Sequence, residues 1–290
     1  MRFDDLIPMA KKKGRKRIAI AGAKKLSEIQ AAIQGMEMGL VTPILVGEED
    51  KLPDNLPDGV QVVPANSDTE AVEKAVKFVS SGEADILMKG SVPTSMFLKG
   101  VLNKEWGLRG KGVLSHVALL DLPEYHKLLI ITDGGMCINP DLETKISILK
   151  NAIEFAHSIG IENPKVGILA AVEVVNQDMV ETVDASIISK MASRGQINGA
   201  IVDGPLAMDI LVSREAAEIK GISSPVAGDV DIILVPDITT GNSVAKALLY
   251  LANGKAAGAV VGTSRPVVML SRADSPETKL NSLILGILCS

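Results

Sequence analysis

The feature that most constrains this chain is an alternation that runs from residue 17 almost to the C-terminus. Short apolar, β-branched runs bounded by glycine, proline and polar residues alternate with segments whose apolar residues recur every three or four positions. The runs predict strands at 17–22, 41–47, 60–65, 86–88, 113–120, 127–132, 166–170, 200–202, 231–235, 257–262 and 267–270. The periodic segments predict helices at 26–39, 68–80, 94–102, about 141–159, 179–193, 206–219, 243–252 and from Pro276 onward. Several of these strands are continuously apolar rather than alternating, so both of their faces must be buried. That requires mostly parallel sheets with helices on both faces, an α/β architecture. Near 139–142 the neighbouring strand runs 113–120 and 127–132 give way to simple strand–helix units, which suggests a seam between two domains. The basic cluster 11–17 reads as a solvated stretch leading into the first strand.

Composition narrows the function. With 290 residues, 47% apolar and 22% charged, the chain can bury one or two substantial cores. A net charge of −5 gives no global attraction to nucleic acid or to an anionic membrane. One Trp, two Tyr and four Phe are too few for a base-stacking platform. No run approaches the roughly 18 to 20 apolar residues that span a bilayer. Cys137 and Cys289 lie far apart and form neither a CxxC pair nor a disulfide framework, so a reducing cytoplasm is the expected compartment.

The familiar catalytic motifs are missing: no GxGxxG follows the first strand, and there is no GxxxxGK[ST], HExxH or GxSxG. His116, His126 and His157 have no metal-ligand spacing. Position is more informative. Ligands of open α/β sheets bind beyond the carboxyl ends of the strands. Five expected strand ends carry glycine, acid, amide or hydroxyl groups. They are Lys89-Gly90-Ser91 running on to Thr94 and Ser95, Asp133-Gly134-Gly135 with Asn139, Asp203-Gly204-Pro205, Pro236-Asp237 running on to Gly241 and Asn242, and Ser271-Arg272. In the last of these a buried strand ends at Ser271-Arg272, and a helix starts at Pro276 with Ser275 or Asp274 as its cap. Free N–H groups and the positive end of a helix dipole attract anions there, and a guanidinium matches phosphate oxygens two at a time. The residues by themselves point to a phosphate- or nucleotide-like ligand, with a capped helix and a surface arginine as the alternative.

Five segments in order, ILMKGSVPTSMFLKGVL (86–102), TDGGMCINPDLETKISILKNAIEFAHSIG (132–160), IVDGPLAMD (201–209), SPVAGDVDIILVPDITTGNSVAK (224–246) and PVVMLSRADS (266–275), resemble the phosphate acetyl/butyryltransferase family. The chain length, the DGGM…NPD segment and SRADS look closer to its butyryl branch. The resemblance implies reversible transfer of a short acyl group from coenzyme A to inorganic phosphate, giving acyl phosphate and CoA. Acyl-CoA would be a substrate, with no bound cofactor or metal. It also implies an isocitrate/isopropylmalate dehydrogenase-like fold with a cleft between domains 1–140 plus 266–290 and 141–265, and a homodimer or larger homo-oligomer. By position, Ser271 matches the serine placed at the CoA sulfur and Arg272 the arginine that holds phosphate. Asn242 and Lys246 match the PD…GN…K segment. Gly90, Ser91, Thr94, Lys99, Asp203 and Asp237 complete the implied substrate-binding set.

Two positions depart from the acetyltransferase pattern. Its aspartate base falls on Thr278 and its second arginine on Tyr250. Asp274, Glu277 and Asp209 are the candidate bases, with Asp274 preferred, and Lys99 or Arg265 could replace the arginine. A phosphate acetyltransferase, a dehydrogenase of the same fold and a non-catalytic binding protein are the competing readings.

Overall fold

A computed structural model describes residues 1–24, 26–53, 55–110, 112–269 and 274–290. In chain order its elements are α1 (Phe3–Lys12), β1 (Lys16–Ala21), α2 (Leu26–Glu37), β2 (Val41–Gly47), β3 (Gln61–Pro64), α3 (Asp68–Ser80), β4 (Ile86–Lys89) and α4 (Thr94–Val101). There follow β5 (Ser115–Asp121), β6 (Leu129–Thr132), α5 (Leu142–Ser158), β7 (Lys165–Leu169), α6 (Val180–Ser193), β8 (Ile201–Leu206), α7 (Met208–Val212) and α8 (Arg214–Ile219). The last are β9 (Ile232–Leu234), α9 (Ile238–Leu251), β10 (Lys255–Val261), β11 (Val267–Val268) and α10 (Pro276–Leu288).

The chain divides into two compact units, Phe3–Gly112 with Ala257–Ser290, and Met1–Arg2 with Val113–Ala256. The first carries strands in the order β3-β2-β1-β4-β11-β10, parallel except for β10. Ile86, Leu87 and Met88 of β4 are fully buried, as expected of a central parallel strand covered on both faces. Helix α10 is buried from Lys279 to Leu288 and packs on α1, α2, β4 and β11. Each fully buried Leu or Ile there contributes about 1.5–3 kcal/mol. Its start follows the sequence closely. Ser275 Oγ accepts the Thr278 N–H at 3.1 Å, and Pro276 takes the first helical position, where a missing N–H costs nothing.

The second unit carries the order β5-β6-β9-β7-β8, with β5 antiparallel and the rest parallel. Strand β6 bonds to β9 as well as to β5, so the pair expected at the end of the first domain joins the strands that follow it. The unit boundary therefore falls at Gly112/Val113 and not near residue 140.

Two local expectations need correction, at 206–219 and at 203–205. The basic cluster 11–17 is largely exposed and leads into β1, as expected, with a helix ahead of it. Residues 3–12 form α1, which buries Phe3, Leu6 and Ala10 on one face and ends in Lys11 and Lys12, where cations suit the helix dipole. The helix expected at 206–219 is two helices, because Ser213 takes an extended conformation and caps α8 by accepting the Ala216 N–H at 3.2 Å. Strand β8 runs on to Leu206, so Asp203-Gly204-Pro205 lies within a strand and not in the loop after it. Among the described residues no helix is long and apolar enough to cross a membrane.

Candidate active site

In the first unit, Gly90 follows β4 and is tied to β1: its N–H donates to the Ala21 carbonyl at 2.9 Å. A Cβ at Gly90 would stand 2.6 Å from the Gly22 carbonyl oxygen, so close packing of two strands already demands glycine here. Ser91 is likewise occupied, its hydroxyl lying 3.0 and 3.1 Å from the two carboxylate oxygens of Glu28, a buried acid on α2. Thr94 opens α4 with its side chain exposed. Lys99 sits in the last turn of α4, the end farther from β4, and lines a cavity of about 350 Å³ with Met96, Gly100 and Trp106. The structure therefore separates Lys99 from Gly90, Ser91 and Thr94 along the helix.

Lys89, the last residue of β4, is only 3% exposed, and its Nζ donates to the Gly90 carbonyl at 3.2 Å. Lys89 is thus the buried first member of the polar strand end Lys89-Gly90-Ser91. Asp274 is half-buried just ahead of the α10 cap, whereas Glu277 and Arg265 are exposed. Ser271 and Arg272 lie outside the described residues.

In the second unit, Asp133 is buried and its carboxylate accepts the N–H groups of Gly135, Met136 and Cys137 at 2.7, 2.9 and 3.2 Å. Those bonds hold the turn after β6 in shape. Burial, together with the Asp133 charge, pushes the Cys137 thiol up to about 12, so it has no thiolate character at neutral pH. Asp237 caps α9, accepting the Thr240 N–H at 2.8 Å. Asn242 Nδ2 reaches the Gly134 carbonyl at 3.2 Å. Lys246 stands one turn later on the same exposed face and makes no ion pair among the described residues. Tyr250, which occupies the position of the second family arginine, extends that face by another turn and is 66% exposed.

Asp203 does not join this group. Its Oδ1 accepts from the Gly204 N–H at 2.9 Å and from Ser189 Oγ of α6 at 3.4 Å, which places it against the helix layer. Asp209 is paired with Lys220 at 2.9 Å, and that contact holds its carboxyl below the usual range, the wrong direction for a general base.

A cavity of about 670 Å³ opens at the carboxyl ends of β7, β8 and β9 and includes Asn139, Lys145, Asp237 and Thr240 in its wall. Lys145 of α5 is 5% exposed and pairs with Asp184 of α6 at 2.7 Å. Sequence reading missed this pair. The available signal was a charged residue on the apolar stripe of each helix, beside Ile146 and Leu149 in α5 and Ala185 and Ile188 in α6. Among the described residues no three His, Cys, Asp or Glu side chains are grouped to hold a metal ion.

Residues 58–287 match the model of the family described as phosphate acetyl/butaryl transferase. The chain belongs to that family. Among its relatives, a phosphate butyryltransferase of Clostridium acetobutylicum is 45% identical over 292 residues, covering 99% of this chain and 97% of that protein. A phosphate acetyltransferase of Thermotoga maritima is 41% identical, covering 99% of each. The crystal structure of a branched-chain phosphotransacylase from Enterococcus faecalis superposes with a TM-score of 0.87 at 33% identity, covering 94% of this chain and 98% of that one. A putative 4-hydroxythreonine-4-phosphate dehydrogenase from Salmonella typhimurium, at TM-score 0.62 and 12% identity over 95% of this chain and 99% of that one, shares the fold. Within the phosphate acetyl/butaryl transferase family, then, the α/β architecture is the one read from the alternation of elements.

Proposed function

We propose that this phosphate acyltransferase catalyses reversible transfer of a short acyl group between coenzyme A and inorganic phosphate, with butyryl preferred. The observation that carries the reading is full-length similarity, 45% over 99% of the chain, to a phosphate butyryltransferase. A phosphate oxygen attacks the thioester carbonyl carbon. A C–O bond forms, the C–S bond breaks, and sulfur leaves as a thiolate that takes up the proton released by phosphate. Arg272 holds the phosphate by paired charge-assisted bonds, and Ser271 donates to the sulfur as negative charge gathers on it. Asp274, three positions after Ser271, is the carboxylate assigned to the proton.

In the second unit, Lys246 and Asn242 offer a cation and an amide on one exposed face of α9 to the substrate, with Asp237 fixing the start of that helix. In the first unit, Thr94 presents its hydroxyl at the start of α4. Gly90 and Ser91 shape the turn before it, and Lys99 contributes a more distant positive charge. The acyl-CoA is a substrate and not a resident cofactor. Both cysteines are free thiols, which fits a reducing cytoplasmic setting, and the active species is proposed to be a homodimer or larger homo-oligomer.

The test is CoA release from butyryl-CoA, followed with and without inorganic phosphate. Phosphate-dependent release is expected, faster than from acetyl-CoA. Release from acetyl-CoA with the higher kcat/KM would transfer the assignment to acetyl, and a lack of phosphate-dependent turnover with any short acyl-CoA would overturn it.

A further inference from the structure

We infer that the cavity at the carboxyl ends of β7, β8 and β9 receives the acyl-pantetheine end of the thioester, and that Met208 sets the acyl chain length accepted. This rests on the acyltransferase reading above and assigns a place within it. The cavity, about 670 Å³, falls in the size range of small-molecule sites and lies where open α/β sheets bind ligands. It shares Asp237 and Thr240 with the start of α9, about two turns ahead of Lys246.

Charge decides which part of the substrate fits. Among the described residues of the wall, the cationic group is Lys145, neutralised by Asp184 at 2.7 Å. The other charged residues of that described lining, Glu181 and Asp237, are both acids. A phosphate or diphosphate would meet net negative charge, so the anionic end of CoA is disfavoured here. An uncharged chain of amides ending in a thioester meets no such penalty. Asn139, Thr240 and the ammonium hydrogens of Lys145 not directed at Asp184 can bond its amides. Leu169, Ala170 and Ala207, each 6–9% exposed, offer an apolar floor for the acyl group.

Chain length is then a question of which wall can move. Ala170 and Ala207 are already small. Met208, the first residue of α7, is the long, unbranched apolar side chain of the lining; it is half-buried, with one part packed on the core around Leu206, Ile210 and Leu211, so shortening it lengthens the pocket at some cost in packing. Val180, at the start of α6, is 65% exposed and can be enlarged without disturbing packing.

The experiment is a kcat/KM series from acetyl- to hexanoyl-CoA at saturating phosphate for the wild-type protein, Met208→Ala and Val180→Trp. One methylene in an apolar pocket is worth roughly 10- to 200-fold. Met208→Ala should therefore raise the hexanoyl-to-butyryl ratio by about tenfold or more, and Val180→Trp should depress the longer substrates relative to acetyl-CoA. If both variants keep the wild-type ratios within about twofold while turning over normally, the pocket assignment is wrong and the acyltransferase reading stands. If the wild-type protein turns over none of these thioesters, the acyltransferase reading fails and takes the pocket with it. Should Met208→Ala fail to fold, Val180→Trp, altered at an exposed position, decides alone.

Discussion

Gly134 at the end of β6 and Gly241 in the first turn of α9 pack backbone to backbone: a Cβ on either would stand 2.7 Å from the backbone of the other. The contact seats α9 so that Asn242, the next residue, reaches the Gly134 carbonyl at 3.2 Å. Both glycines are thus required by packing, and the amide of a proposed substrate-binding residue is placed as a result.

The first prediction follows from that contact. Gly241→Ala forces α9 away from β6 and should destabilise the protein by about 1–3 kcal/mol, the usual cost of overpacking. The displacement of Asn242 should also lower kcat/KM. Gly112→Ala is the control, since a Cβ there meets nothing within 4 Å, and its effect should stay within about 0.5 kcal/mol. Urea denaturation of both variants, with steady-state kinetics on the same preparations, checks the pair.

Ser271 and Arg272 should separate kinetically. Arg272→Ala should raise the KM for phosphate or acyl phosphate by about tenfold to a hundredfold, the equivalent of losing charge-assisted bonds. Ser271→Ala should chiefly lower kcat, by about a hundredfold, because its hydroxyl acts on charge that develops during the reaction. Wild-type constants in both variants would move the site elsewhere.

Acid stability should carry the signature of Asp229. Partial burial raises its pKa, but hydrogen bonds from Lys127 and Lys165, at 2.8 and 2.6 Å, and from His126 overcome that and hold it well below the usual carboxylate range. A depressed folded-state pKa gives stability that is present above the unfolded value of about 3.9 and is lost as pH falls through the lower folded value. The group is a third exposed, so its share is discounted to about 1 kcal/mol. Asp229→Asn should therefore be less stable than wild type at pH 7, with the gap narrowing steadily as pH falls below about 4 in denaturation curves.

Cys137 should resist alkylation. With its pKa pushed up to about 12, little thiolate exists at pH 8, and iodoacetamide should modify it about a hundredfold more slowly than free cysteine. Mass spectrometry of a timed reaction would read this directly. Modification at the rate of the free thiol would show that the turn after β6 does not bury Cys137.

Much of the fold was legible because its signals are local. Continuous apolar runs such as 86–88 can only be strands buried on both faces, and Ser275-Pro276 announces the start of α10 whatever surrounds it. The order of polar strand ends, and the family they resemble, could also be read along the chain. What a strand end does was not local. Gly90 belongs to a polar strand end, yet a side chain there would collide with the carbonyls of Ala21, which ends β1, and Gly22, which follows it. Asp203 looked like a loop acid until β8 ran past it and Ser189, fourteen residues earlier, bonded to it. Lys145 finds Asp184 thirty-nine residues away, and their pairing neutralises the cation that the described residues bring to the cavity wall. Periodicity along a chain reports which side of an element is buried. Which groups meet there depends on how separate elements pack, and that is a property of the tertiary structure alone.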